Sequence, residues 1–310
     1  MTARITLALL AIISAAMSYP FQTTFERWVL GVAVVVVLVV FAWWRGEFLT
    51  TMLGRRLAVW RRNHGRSART PSDEVAMLLS VKAPAGVTAP LAAVAGYVER
   101  YGIRSAKVRL TNLDGAGTRR TWISVTLAAT DNLAALQARS PQLPLYDTAE
   151  VVGRRLADHL RELGLDATIV DTANAPWTPK AKETWRGMRD EQGYLAAYAI
   201  PADAGLSERL VEVWSQDQGE IWTALEFTGT AANPRVVAVA AFRTAEAPSG
   251  PPVAGLKSQN GRHKPLLSAL DPRSVDRLDI AAAPLRADAL DQVTWPVGSD
   301  GSTVGAHAQV

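Results

Sequence analysis

Chemistry in this chain would have to start from four histidines, because there is no cysteine among its 310 residues. The missing thiol excludes disulfides, thiolate catalysis, iron–sulfur clusters and cysteine-based zinc sites. His64 lies in an arginine-rich segment, His159 near the apolar face of a predicted helix, His263 beside Lys264 in a polar loop, and His307 close to the C-terminus. No two of them have the spacing of metal ligands. His159 reads as a structural histidine. The glycines of "GAGTRR" (115–120) suggest a phosphate loop, but a third glycine is missing and the stretch falls in a turn. G-x-x-x-x-G-K-S/T, H-E-x-x-H and G-x-S-x-G are absent, as is a D-x-D pair. Asp271, Asp276 and Asp279 in "LDPRSVDRLD" alternate with arginines and read as a solvated, salt-linked loop. These residues do not converge on one site. No catalytic residue, metal ligand, cofactor or small-molecule substrate is therefore expected.

The informative residues lie where the charge is concentrated. Residues 1–70 hold nine arginines against two acids, Glu26 and Glu47, a surplus of seven. The whole chain carries only +4, so the remainder is acidic by three. A basic nucleic-acid-binding body is thereby excluded. "GRRLAVWRRNHGRSAR" (54–69) alone holds six arginines.

Two apolar stretches precede it, Ile5–Tyr19 and Trp28–Trp44, the second with the core "VLGVAVVVVLVVFAWW". They predict two N-terminal transmembrane helices over residues 1–46, the valine run being helical because a lone strand cannot satisfy its backbone in lipid. The first stretch also suits a cleaved signal peptide. Trp43 and Trp44 would sit at headgroup level, and Arg45 begins the arginine-dense side, which belongs in the cytoplasm. The expected location is thus a multi-pass plasma-membrane protein with a cytoplasmic body.

Residues 47–72 predict a basic juxtamembrane helix and linker. Leu49, Met52, Leu53, Leu57 and Trp60 make an apolar stripe, with Arg55, Arg56, Arg62 and Arg66 mostly off it. Such a helix either rests on anionic headgroups or docks a partner. Trp43, Trp44, Arg45, Arg55, Arg56, Leu57, Trp60, Arg61 and Arg62 are the candidate interface.

Residues 73–290 predict an α/β body, helices packed on a mixed sheet. A strand over 75–81 leads to a helix capped by Thr88, with Leu91, Val94, Val98 and Tyr101 on one face and Gly102 as its stop. Ala106, Val108 and Leu110 alternate with Lys107, Arg109 and Thr111, the pattern of a half-buried strand. "LDGAG" (113–117) turns it into a hairpin with Ile123, Val125 and Leu127. Asp147 and Glu150 suggest a capping box for a helix burying Val151, Val152, Leu156, Leu160 and Leu163, closed by Gly164. Leu165–Val170 comes next as a strand. A second block repeats the β-α-β-β order: a strand at 194–200, a helix at 207–214 and strands at 220–227 and 235–243. No residue-level similarity accompanies the repeat. "VVAVAAF" (236–242) does not alternate, which predicts a strand covered on both faces. Residues 246–255 form a loop, and 291–310 read as a flexible tail.

The opening "MTARITLALL", the span "FERWVLGVAVVVVLVVFAWWRGEF", the segment "RRLAVWRR" and the cysteine-free body together resemble EccE, and most closely its branch in the third ESX system. EccE is a membrane component of the mycobacterial type VII secretion machinery. The resemblance covers essentially the whole chain and rests on hydropathy and element order. It implies a non-catalytic structural subunit of an inner-membrane core complex, with EccB, EccC, EccD and membrane lipids as partners and a link to metal acquisition. EccC is the motor ATPase there, consistent with the missing phosphate loop. A membrane-tethered, degenerate transferase-like enzyme is the alternative, by analogy of fold alone.

Overall fold

A computed structural model of the chain describes residues 2–19, 23–41, 43–44, 47–64, 73–84, 86–217, 219–284, 290 and 292–299. The chain divides into two units, Met1–Arg66 and Ser67–Val310.

In the first unit the apolar stretches form α1 (Thr2–Met17) and α2 (Thr24–Phe41). Ser14 and Ser18 return their hydroxyls to the carbonyls of Leu10 and Ser14, at 2.9 and 3.0 Å, so neither hydroxyl is orphaned on an apolar helix. Burial is inverted: Ala8 and Ala33 are buried, while Leu10, Ile13, Phe25 and Trp28 face outward. Small residues let the backbones of two helices approach closely.

The expectation of two transmembrane spans is corrected in one respect. Among the described residues, no helix is long and apolar enough to cross a membrane. At about 1.5 Å per residue, α1 with 16 residues and α2 with 18 reach about 24 and 27 Å. A hydrocarbon core is about 30 Å thick. Nor does the second stretch run on as one helix through Trp44. After Phe41 the backbone enters β1 (Trp43–Trp44), which pairs antiparallel with β2 (Glu47–Phe48), Trp43 opposite Phe48. Then α3 (Leu49–His64) begins.

The second unit is built on one sheet. In chain order come β3 (Glu74–Lys82), α4 (Leu91–Ala95), β4 (Glu99–Arg100), β5 (Ile103–Gly115), β6 (Thr118–Ala128), α5 (Leu133–Arg139), α6 (Leu145–Glu162) and β7 (Asp166–Ile169). The next elements are β8 (Lys182–Glu183), β9 (Met188–Asp190), β10 (Gly193–Ile200), α7 (Leu206–Trp214), β11 (Glu220–Gly229) and β12 (Pro234–Thr244). β13 (Lys257–Ser258), α8 (His263–Leu270) and β14 (Ala283–Pro284) complete the set. The strand order is β7-β3-β6-β5-β11-β12-β10-β9-β8. Every pairing is antiparallel, so the sheet is not mixed as the sequence suggested.

The repeated β-α-β-β order has a spatial counterpart. β3, α4, β5 and β6 lie in the order β3-β6-β5, and β10, α7, β11 and β12 in the order β10-β12-β11. The halves meet through antiparallel β5 and β11, as a local two-fold axis would place them. Their helices share one face: Leu91 and Val94 of α4, Leu156 and Leu160 of α6, and Leu210 and Val213 of α7 belong to a single core. On the other face, Leu266, Leu267 and Leu270 of α8 cover Trp222, Val237, Val239 and Ala241. The run from Val236 to Phe242 is therefore buried on both sides, because its two faces serve two cores.

Turn chemistry sets the hairpins. β5 and β6 are joined by Ala116 and Gly117, both at positive φ (51° and 74°), and Gly115 pairs with Thr118. That is the primed two-residue turn that matches strand twist. Tyr101 and Gly102 (φ 57° and 72°) make the same turn between β4 and β5. The helix expected to reach Tyr101 thus stops early, and Tyr101 is exposed. Thr88 is not its cap. It bridges to Pro296, and the Ala89 N–H donates to the Trp295 carbonyl at 2.9 Å, so this stretch is held as an edge by the C-terminal segment. The helix begins only after Pro90.

The capping box at Asp147 is also corrected. α6 starts after Pro144, which puts Asp147 inside its first turn, where a carboxylate favours the helix dipole. Glu150 instead pairs with Arg154 one turn on, at 2.6 Å. Leu163 is exposed rather than inside, because the helix ends at Glu162 and Gly164 (φ 86°) turns the chain away. Residues 292–299 are not the flexible tail expected there. Val293 and Trp295 are buried, and Gly298 accepts from Ala83 and donates to Thr121. Residues 300–310 lie outside the described residues.

Candidate functional site

Three places could carry function: the exposed face of α3, the polar interior under β5, and an open depression at one end of the sheet.

On α3, Leu53, Leu57 and Trp60 recur at helical spacing and are 66%, 57% and 59% exposed. Arg56 and Arg61 are exposed as well, whereas Arg55 and Arg62 are half-buried on the opposite side. His64 closes the stripe. Its Nδ1 lies 2.8 Å from the Trp60 carbonyl and its ring 5.2 Å from the Trp60 ring. The structure thus brings Arg56, Leu57, Trp60 and Arg61 onto one surface and sets Arg55 and Arg62 apart. The backbones of Trp43 and Trp44 form β1, and Arg45 lies outside the described residues.

β5 is not the half-buried strand that its alternation suggested. Lys107, Arg109 and Thr111 are as buried as Val108 and Leu110. Arg109 and Glu226 are direct cross-strand neighbours on β5 and β11. The Arg109 Nε and Nη2 donate to Glu226 Oε2 at 3.0 and 2.6 Å. Nη2 also donates to the Asp276 carbonyl at 2.7 Å, and Nη1 to the Ala269 carbonyl. Lys107 Nζ donates to the carbonyls of Ser274 (2.7 Å) and Asp276. Glu226 accepts from the Leu278 N–H at 3.2 Å. These three side chains therefore give partners to backbone groups of residues 269–278, from the end of α8 onward, that turn toward β5 and β11. Of the salt links read within this loop, Asp271 pairs with Arg273, whereas Asp279 pairs with Arg262, which lies before α8 and outside the loop.

Burial, with the Arg109 charge beside it, pushes the Lys107 ammonium down to about 6 against the pull of Glu226, Asp276 and Glu74. A neutral amine has two N–H groups, one for each carbonyl it meets. In the unfolded chain the same lysine titrates near 10.5. Between these values the unfolded state holds the extra proton, so Lys107 makes stability rise with pH from about 6 upward. Denaturant titrations at several pH values should show a shallower rise in Lys107→Met than in the parent.

The depression, about 400 Å³, is lined among others by Arg120, Asn174, Trp177, Glu220, Trp222 and Arg243. Its charged groups are mutually engaged. Arg243 meets Asp190 at 2.9 Å and Glu220 at 2.6 Å, Glu220 also accepts from Trp222 Nε1, and Arg120 donates to Asn174 at 2.7 Å. Among the described residues, no nucleophile–base pair lines it. Among the described residues, no cluster of three His, Asp or Glu could hold a metal. His263 is buried, accepts from the Ala197 N–H at 3.2 Å, and is pushed down to about 4 by burial. His159 is half-buried, 3.4 Å from Arg100 Nη1 and 6.0 Å from the Tyr97 ring.

Taken together, these elements define an α/β protein whose buried charges hold its own chain in place, preceded by helices that turn their large apolar side chains outward. The family model described as "Putative type VII ESX secretion system translocon, EccE" matches residues 116–200, from the β5–β6 turn to the end of β10. The ESX-3 secretion system protein EccE3 of Mycolicibacterium smegmatis is 48% identical over 309 residues, 99% of each chain. The protein of the same name from Mycobacterium tuberculosis is 43% identical over 98% of this chain and 93% of its own. The chain belongs to the EccE family, and its near full-length similarity to these two proteins is to ESX-3 members.

Proposed function

We propose that this chain is a non-catalytic structural subunit of a type VII secretion complex in the inner membrane. In this reading α1 and α2 are its membrane anchor, inserted as a hairpin, and the body lies in the cytoplasm. The inverted burial of the two helices is the observation that carries the reading. Outward leucine, isoleucine, valine and tryptophan over a small-residue contact suit an apolar surrounding and are costly in water. Helices a few ångströms short of the hydrocarbon thickness are accommodated by local thinning or by flanking residues. The arginines after α2 favour the cytoplasmic side for the body.

The near full-length likeness to proteins named for ESX-3 secretion supports membership of that complex. The body docks on the cytoplasmic parts of EccB, EccC or EccD. The interior supports a scaffold rather than an enzyme, since its buried charges are engaged by the segment 269–278. Affinity purification of the tagged full chain from mildly solubilised membranes tests this, and the other core subunits are expected to co-elute.

A further inference from the structure

Resting on the reading of α1 and α2 as a membrane anchor, we propose that α3 lies along an anionic bilayer surface, with Leu53, Leu57 and Trp60 sunk among the headgroups.

The geometry of the helix carries this. At about 100° per residue, Leu57 and Trp60 fall within about 40° of Leu53, so the three make one narrow seam. Arg56 falls about 60° to one side of Leu53 and Arg61 about 80° to the other. A seam bordered on both sides by long cationic side chains is how an interfacial helix sits: the stems cover the apolar strip and the guanidiniums reach the phosphates. Tryptophan in the seam favours the same depth. The seam is exposed, while Thr51, Arg55, Ala58, Val59 and Arg62 on the opposite side are half-buried.

Charge selects the occupant. Two of its four arginines, Arg56 and Arg61, border the seam, and α3 has no acid along its 16 residues. Its complement is a surface of uniformly negative charge, which an anionic leaflet provides. Continuity points the same way, since α3 follows α2 across only the short β1–β2 pair and within one unit.

The absence of cysteine makes the test clean. Full-length Ile13→Cys and Leu57→Cys chains carry one environment-sensitive dye each. They are reconstituted into vesicles of phosphatidylcholine alone or with phosphatidylglycerol, and quenched by spin-labelled lipid. The dye at position 13 should be quenched in both bilayers. The dye at 57 should be quenched at shallow depth, and strongly only with phosphatidylglycerol. Adding Arg56→Gln or Arg61→Gln to the Leu57→Cys chain should lower its bound-to-free ratio about fivefold per arginine. Quenching at 13 but not at 57 in either bilayer overturns the lipid contact and leaves the anchor standing. Quenching at neither position means that the anchor reading has failed. A dye at 57 that is quenched in vesicles but shielded from lipid in the purified complex overturns the proposal in favour of a protein partner for the seam.

Discussion

Glu226→Ala should cost the body about 3–5 kcal/mol, as is usual when one partner of a buried ion pair is stranded. The Arg109 side chain is 0% exposed and that of Glu226 is 1% exposed. Without Glu226 the guanidinium keeps only backbone carbonyls, and the Leu278 N–H loses its acceptor. The damage should not stay on β11. The segment 269–278 is tied down by this cluster, so it should exchange its amide hydrogens early in the variant. Unfolding of the full chain in detergent, followed by circular dichroism, gives the cost, and hydrogen exchange locates it. The double variant Arg109→Met/Glu226→Leu removes both charges and should recover much of the loss. A loss below about 1 kcal/mol in the single variant would mean that the pair is hydrated rather than buried.

Trp295→Ala should destabilise the body by a similar about 3–5 kcal/mol. Trp295 is fully buried and meets Trp214 of α7 edge-on, with ring centroids 5.2 Å apart and planes at 89°. Its carbonyl accepts from Ala89, and Pro296 bridges to Thr88, so the residue joins the core to the chain end. Denaturation midpoints decide the matter. If residues 291–299 were a loose tail, Trp295→Ala would leave the midpoint unchanged.

Local chemistry made some elements legible in the sequence. "LDGAG" names its turn because Gly117, next to Ala116, can adopt positive φ. "VVAVAAF" shows two covered faces because nothing in it could face water. The apolar positions of α6 mark its buried side as far as Leu160. The failures share a physical cause, a distant segment satisfying a local group. Lys107 and Arg109 look like solvent residues until segment 269–278, more than 150 residues on, brings carbonyls to them. Thr88 looks like a cap until the C-terminal segment pairs with it. The two-fold arrangement of the halves left no mark in residue identity, because a buried sheet position asks only for volume and polarity. On α3 the spacing revealed the stripe, and the helix in place shows Arg56 and Arg61 exposed beside it and Arg55 and Arg62 half-buried on the far side.

Whether this chain is an assembled component rather than a free-standing enzyme is decided by affinity purification. The tagged full chain is taken from membranes in mild detergent, alongside Glu226→Ala. The parent should bring the other core subunits of the secretion complex in a fixed ratio, and the variant, with its body loosened, should bring markedly less of them. Recovery of the parent chain alone, from membranes in which the remaining subunits still assemble, would show that it is not part of that complex.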